Sequence, residues 1–160
     1  MKLVQILSVL FLGTMMMACG NEGAKTNATK ELDATAATAE SAPTTKLASN
    51  RIEVIDFYGT HRCVTCKAIE KNTKYTVDTF FPKEQEEGKI IFKTVNVDKA
   101  ENAKIAEEFQ ATGTALFLYV VKGDKKTKID LTNNAFENGR DQAVFSDELK
   151  FFIDNELKSL

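Results

Sequence analysis

The sequence predicts an α/β domain over residues 50–160, built on a central four-stranded mixed sheet with helices on both faces. Three observations predict it. Strand-like and helix-like stretches alternate after residue 50, a polar turn at Lys122-Gly123-Asp124-Lys125 separates two strand-like runs, and the chain closes on a long amphipathic stretch. A strand, helix, strand crossover makes a parallel pair, a hairpin adds antiparallel strands, and the helices cover the sheet.

The elements follow in order. Arg51 to Tyr58 is β-branched and aromatic enough for a buried strand, and Gly59-Thr60 breaks it. From Cys63 onward, Cys66, Ile69, Thr73, Val77 and Phe80 fall at helical spacing, until Phe81-Pro82 closes the run, because proline disfavours helix in its predecessor. Lys89 to Val97 reads as a second strand after the Glu-rich turn ending at Gly88. A short helix then buries Ile105, Ala106 and Phe109. Leu116 to Val121 is continuously apolar, Thr127 to Leu131 alternates, and the turn between them makes these two a hairpin. Asp141 to Leu157 is the closing helix, with Val144, Phe145, Leu149, Phe152, Ile153 and Leu157 as its apolar stripe. No internal repeat is visible.

Composition narrows the function classes. The 160 residues carry 21 Lys plus Arg against 23 Asp plus Glu, a formal charge of -2. Phosphate binding needs basic residues gathered on one face, so no nucleic-acid partner is expected. The three cysteines, Cys19, Cys63 and Cys66, are too few to staple a small fold, so an apolar core must hold it.

The front of the chain reads as an address. Lys2 precedes an apolar stretch, Leu3 to Met17, that ends in Ala18, Cys19 and Gly20, which is the layout of a secretory signal over residues 1–18. The stretch is shorter than the roughly 20 apolar residues a spanning helix needs. Met16-Met17-Ala18-Cys19 resembles a bacterial lipobox, with Met16 where leucine is usual. The resemblance implies cleavage before Cys19, lipid on its thiol, and a chain hung from a bacterial envelope membrane on the extracytoplasmic side. The alternative is a soluble secreted protein cut near Ala18. Several acyl chains on one residue anchor stably, since each buried methylene contributes about 0.8 kcal/mol. Residues 19–49 are rich in Ala, Thr, Lys, Glu and Ser and hold no aromatic residue. They read as a flexible tether whose ends lie roughly 30 Å apart.

The remaining two cysteines carry the chemistry. A thiolate is the attacking species in disulfide exchange, and a helix N-terminus stabilises it through free backbone N–H groups and the positive end of the dipole. Cys63 stands at that position, with Cys66 one turn further in. Arg62 adds a permanent positive charge beside Cys63, so Cys63 is expected to be the nucleophile, with a lowered pKa, and Cys66 the resolving thiol. The alternative is a permanently oxidised structural clip, but so short a ring restrains little unfolded-chain entropy.

Asp56-Phe57-Tyr58, Cys63-Val64-Thr65-Cys66-Lys67 opening a helix, Val95-Asn96-Val97-Asp98, and Gly113-Thr114-Ala115 before an apolar strand together resemble the thioredoxin superfamily, over residues 51 to about 158. The resemblance implies a thioredoxin-like fold and thiol-disulfide exchange, in which the first cysteine attacks and the second resolves the mixed disulfide. Protein or small-molecule disulfides and thiols are the expected substrates, with a further redox partner; no cofactor and a monomer are expected. It also places Asp56 beneath the cysteine pair, assisting proton transfer to the resolving cysteine. A plain strand aspartate is the other reading, since the loop Gly59 to Arg62 is one residue longer than the family's usual spacing.

Two departures stand out. Arg62 replaces the tryptophan that often precedes the first cysteine, and the chain has no tryptophan at all. Ala115 stands where the family has a cis-proline. A cis bond before a non-proline residue costs about 2.5 to 4 kcal/mol, so a trans bond is expected there, with Thr114 and Ala115 still facing the cysteines. His61, the sole histidine, either tunes the thiolate, shuttles a proton, ligates a metal, or is solvated; Lys67 reads as solvated.

Two other functions use the same thiols. Thiolates select soft ions, so Cys63, Cys66 and His61 could bind or transfer Cu(I); a structural zinc is disfavoured because four ligands are needed. A redox-inert domain that keeps the fold for protein contacts would have unreactive thiols. Direction, reductase or oxidant, is not readable from the residues.

Overall fold

The computed structural model describes residues 47–160. The signal segment, Cys19 and nearly all of the tether lie outside the described residues.

Strand β1 (Arg51–Tyr58) is the middle of the sheet and is buried along both faces from Ile52 to Phe57. It pairs parallel with β2 (Ile90–Asn96), Ile52 opposite Ile90, and antiparallel with β3 (Ala115–Lys122), Asp56 opposite Leu116. Strand β4 (Lys125–Asp130) pairs antiparallel with β3, giving a mixed sheet in the order β2-β1-β3-β4. Burial of both faces explains why β1 is rich in β-branched and aromatic residues, with Glu53 and Asp56 as its buried charged exceptions.

Alternation along β1 sorts the core into two halves. Ile52 and Val54 point to one face, where α1 (Val64–Phe80) and α5 (Gln142–Leu157) supply Ile69, Val77, Phe145, Leu149 and Ile153. Ile55 and Phe57 point to the other, where α3 (Ala103–Phe109) brings Phe109 against Phe57 and Phe117, ring centroids 5.3 and 5.2 Å away. By the same alternation Asp56 lies on the α1 face, fully buried.

The expected elements are present, and two more join them. Helix α1 ends where Phe81 N–H donates to Val77 O, and Pro82 opens a five-residue helix α2 (Pro82–Glu86), because proline at a first helical position lacks only an N–H that would be orphaned anyway. Helix α4 (Thr132–Asn138) fills the connection between β4 and α5. Its sequence, Thr-Asn-Asn-Ala-Phe-Glu-Asn, has weak helix propensity, and the seating of Ala135 and the preceding Leu131 in the core, with Asp130 Oδ1 accepting the Thr132 N–H, holds it. Leu131 is therefore a core residue before α4 and no part of β4. The hairpin is tighter than the residue pattern predicts: Lys122 and Lys125 pair, leaving Gly123-Asp124 as the loop, and Gly123 takes the positive φ of 56° that such a turn requires.

The stripe on α5 is corrected at one position. Val144 is 42% exposed, while Ser146, polar and absent from the stripe, is buried. The reason is a hydroxyl pair: Thr76 Oγ1 of α1 donates to Asn72 O at 2.8 Å and accepts from the Ser146 hydroxyl at 2.9 Å, which pins the two helices together. Where α4 meets α5, Gly139 presses on α1. A Cβ there would lie 2.4 Å from Ala135 O and 2.8 Å from Ile69 Cγ1, so this close approach excludes any side chain.

The start of the domain is tied to its end. Asn50 Nδ2 donates to Leu160 O at 3.2 Å, and Asn50 Oδ1 accepts from Gly123 N at 2.9 Å. Among the described residues no helix is long and apolar enough to cross a membrane.

Candidate active site

Where β1 ends, the chain turns through Gly59 to Arg62 and enters α1 at Cys63. The turn is anchored from the far side by Asp98, just past β2, whose Oδ2 accepts the Thr60 N–H at 2.6 Å. Hydrogen bonds from Thr60 hold the Asp98 carboxyl below its ordinary range, with a smaller contribution from His61. Val97 N–H donates to Tyr58 O at 2.9 Å, so the sheet ladder continues to the point where the turn departs.

Cys63 is the N-cap of α1. Its backbone is extended, and its Sγ accepts the Cys66 N–H at 3.0 Å, while Lys67 N–H donates to Cys63 O at 3.1 Å. No acidic residue occupies the first turn of α1, so the positive end of the helix faces this sulfur uncompensated from within its own helix. The two cysteines are joined as a disulfide with Cα atoms 5.0 Å apart. They differ in access: Cys63 is exposed and Cys66 is 9% exposed. Cys63 is therefore the sulfur open to an approaching molecule, and the Cys66 sulfur is nearly covered.

Arg62 does something other than the residue pattern predicts. Its guanidinium is turned inward: Nη1 donates to Glu70 Oε2, Nη2 donates to Cys66 O at 3.0 Å, and its carbon sits 4.5 Å above the Tyr58 ring. The same Nη2 lies 3.5 Å from Asp56 Oδ2, an ion pair without a hydrogen bond. The arginine charge is thus shared between two carboxylates and not directed at Cys63.

Asp56 has both carboxylate oxygens buried and without a hydrogen-bond partner. Burial pushes its carboxyl up to about 7; Arg62 pulls it down and Glu70 pushes it up by smaller amounts. A carboxyl so placed exchanges a proton near neutral pH, which is the property a general base needs. Glu70 escapes a reading of the residue pattern because a helix glutamate ordinarily faces solvent. Its spacing four residues after Cys66, on the same side of the helix, is the signal available.

The other expected residues are distributed around this centre. His61 and Lys67 are exposed. Ala115 opens β3 opposite Phe57, and with Thr114 it lines a groove of about 640 Å³ shared with Phe109, Lys128 and Thr132; neither cysteine lines that groove. Among the described residues no three His, Cys, Asp or Glu side chains gather where they could hold a metal, so His61 does not complete a three-donor set with the cysteines.

A crossover, a hairpin and a closing helix, with the cysteine pair at the start of α1, make the thioredoxin-like arrangement that the sequence resemblance implies. No protein-family model matches the chain, and no curated protein does. Solved structures overlap with part of it. Mitochondrial thioredoxin 3 from Saccharomyces cerevisiae, in its oxidized form, is 28% identical over 56% of this chain and 76% of its own, with a TM-score of 0.36. A thioredoxin from Fasciola hepatica is 20% identical over 55% of this chain and 76% of its own, TM-score 0.36. A structure described as that of a malarial protein is 16% identical over 56% of this chain and 93% of its own, TM-score 0.37.

Proposed function

We propose that this protein is an extracytoplasmic thiol-disulfide oxidoreductase that exchanges disulfides through Cys63 and Cys66. The observation that carries the reading is the asymmetry of the pair: an exposed sulfur capping a helix N-terminus, joined to a buried one a turn further in. In the reducing direction the Cys63 thiolate attacks a partner's S–S bond, forming a mixed disulfide and releasing one partner thiolate. The Cys66 thiol then passes its proton to the Asp56 carboxylate and its sulfur attacks Cys63 Sγ. The ring disulfide forms, the Cys63–partner bond breaks, and the electron pair leaves on the second partner sulfur. The oxidising direction is the reverse.

Substrates are protein or small-molecule disulfides and thiols, and a separate redox partner resets the pair. The setting is a bacterial cell envelope, with lipid at Cys19 and residues 19–49 as the tether. The Met16-Met17-Ala18-Cys19 run supports this placement.

The test is insulin reduction by the full chain with a dithiol donor. Turnover above the donor alone is expected, lost in Cys63→Ser, while Cys66→Ser accumulates mixed disulfides. Absence of turnover in the reduced wild type, with both thiols free, overturns the reading. Growth with labelled palmitate tests the anchor: label is expected in the wild type and absent in Cys19→Ser.

A further inference from the structure

Exchange as set out above uses Cys63, Cys66 and Asp56, and leaves the Arg62, Glu70 and Tyr58 cluster without a role. Arg62 is 16% exposed, packed on the Tyr58 ring, and faces two carboxylates that are served unequally. Glu70 takes a direct hydrogen bond from Nη1. Asp56 receives only the 3.5 Å approach of Nη2, one of whose two hydrogens goes to Cys66 O. Arg62 Nε is itself buried and without a hydrogen-bond partner, so the guanidinium has donor capacity that Asp56 does not receive.

We propose that Arg62 and Glu70 are a positioning pair that controls proton exchange at Asp56: Arg62 supplies the counter-charge, and Glu70 holds it short of a direct hydrogen bond. This inference rests on the exchange reading of the cysteines and adds the control of its proton step.

The two residues act on Asp56 with opposite signs. A cation at 3.5 Å favours the carboxylate, whereas Glu70 disfavours it both through its own charge and by restraining the cation. The charged groups acting on Asp56 are few. Arg62 comes from the turn and Glu70 from α1, and the lateral neighbours Thr94 and Leu116 from β2 and β3 carry no charge. Glu53 and Lys93 pair with each other on the opposite face of the sheet, as alternation along β1 and β2 requires.

The opposed signs make the test specific. Carbon-13 carboxyl NMR of the oxidised full chain reads the Asp56 titration midpoint without any turnover. Glu70→Gln is expected to lower that midpoint, and Arg62→Gln to raise it, each by on the order of one pH unit. Arg62→Lys should stay near the wild type, because charge is retained. If Arg62→Gln does not fold, the Glu70→Gln shift decides alone. Loss of packing would move both variants the same way, so shifts of like sign, or no shift, overturn the proposal. The pH profile of insulin reduction is measured in parallel. Opposed NMR shifts in a protein that does not reduce insulin uphold the pair's control of Asp56 and remove the exchange reading; turnover without those shifts does the reverse.

Discussion

Arg62 Nη2 stands 3.5 Å from Asp56 Oδ2, and no hydrogen bond joins them. A buried carboxylate that ordinarily demands donors has one cationic neighbour, whose hydrogen bonds go to Glu70 and to Cys66 O instead. The consequence is a carboxyl whose proton is held far above the usual range.

Asp56 therefore makes stability depend on pH. Its folded pKa of about 7 lies above the ordinary 3.8, so the native state keeps a proton that the unfolded chain gives up. Stability is full below about pH 4, falls as pH rises toward 7, and levels off above it. Asp56→Asn should remove this slope. Urea unfolding of the oxidised protein is expected to show Asp56→Asn more stable than wild type at pH 8, by on the order of 2 to 4 kcal/mol, and little different at pH 3.

The unequal access of the two sulfurs sets an order of labelling. In the reduced protein Cys63, exposed and capping α1, should react with iodoacetamide well before Cys66, which is 9% exposed. Mass spectrometry of peptides after timed quenching reads the order. The Cys63 rate should rise with pH, because the thiolate is the species that reacts.

The hydroxyl pair between α1 and α5 is a stability element. Thr76→Val leaves the buried Ser146 hydroxyl without its 2.9 Å partner and should cost about 1 to 3 kcal/mol. Adding Ser146→Ala should restore most of the loss, because two apolar groups leave nothing unsatisfied. Chemical denaturation of the two single variants and the double variant measures the coupling.

Asp141 caps α5: its Oδ1 accepts from Ala143 N at 3.1 Å and Val144 N at 3.2 Å. Asp141→Ala should cost about 1 kcal/mol, and Asp141→Ser much less, since serine also caps. Gly139→Ala, two residues earlier, should cost more than the cap, because its Cβ meets backbone and not solvent. Thermal melts of the three variants rank them.

Much of this molecule is legible in one dimension. A strand buried on both faces is dominated by β-branched and aromatic residues, and a helix begun by a cysteine pair and stopped at proline announces both ends, so β1, α1, β3 and α5 can be placed from residue types alone. That Cys63 and Cys66 come within reach of each other follows from the same helix period, while their unequal exposure is decided by the fold. Other features depend on partners distant in sequence. Helix α4 forms because Leu131 and Ala135 find a core, Ser146 is buried because Thr76 lies opposite, and Arg62 turns from the cysteine beside it because two carboxylates and a tyrosine ring lie inward. Local pattern reports what a residue prefers; the direction of a long charged side chain is decided by which opposite charges folding brings within reach.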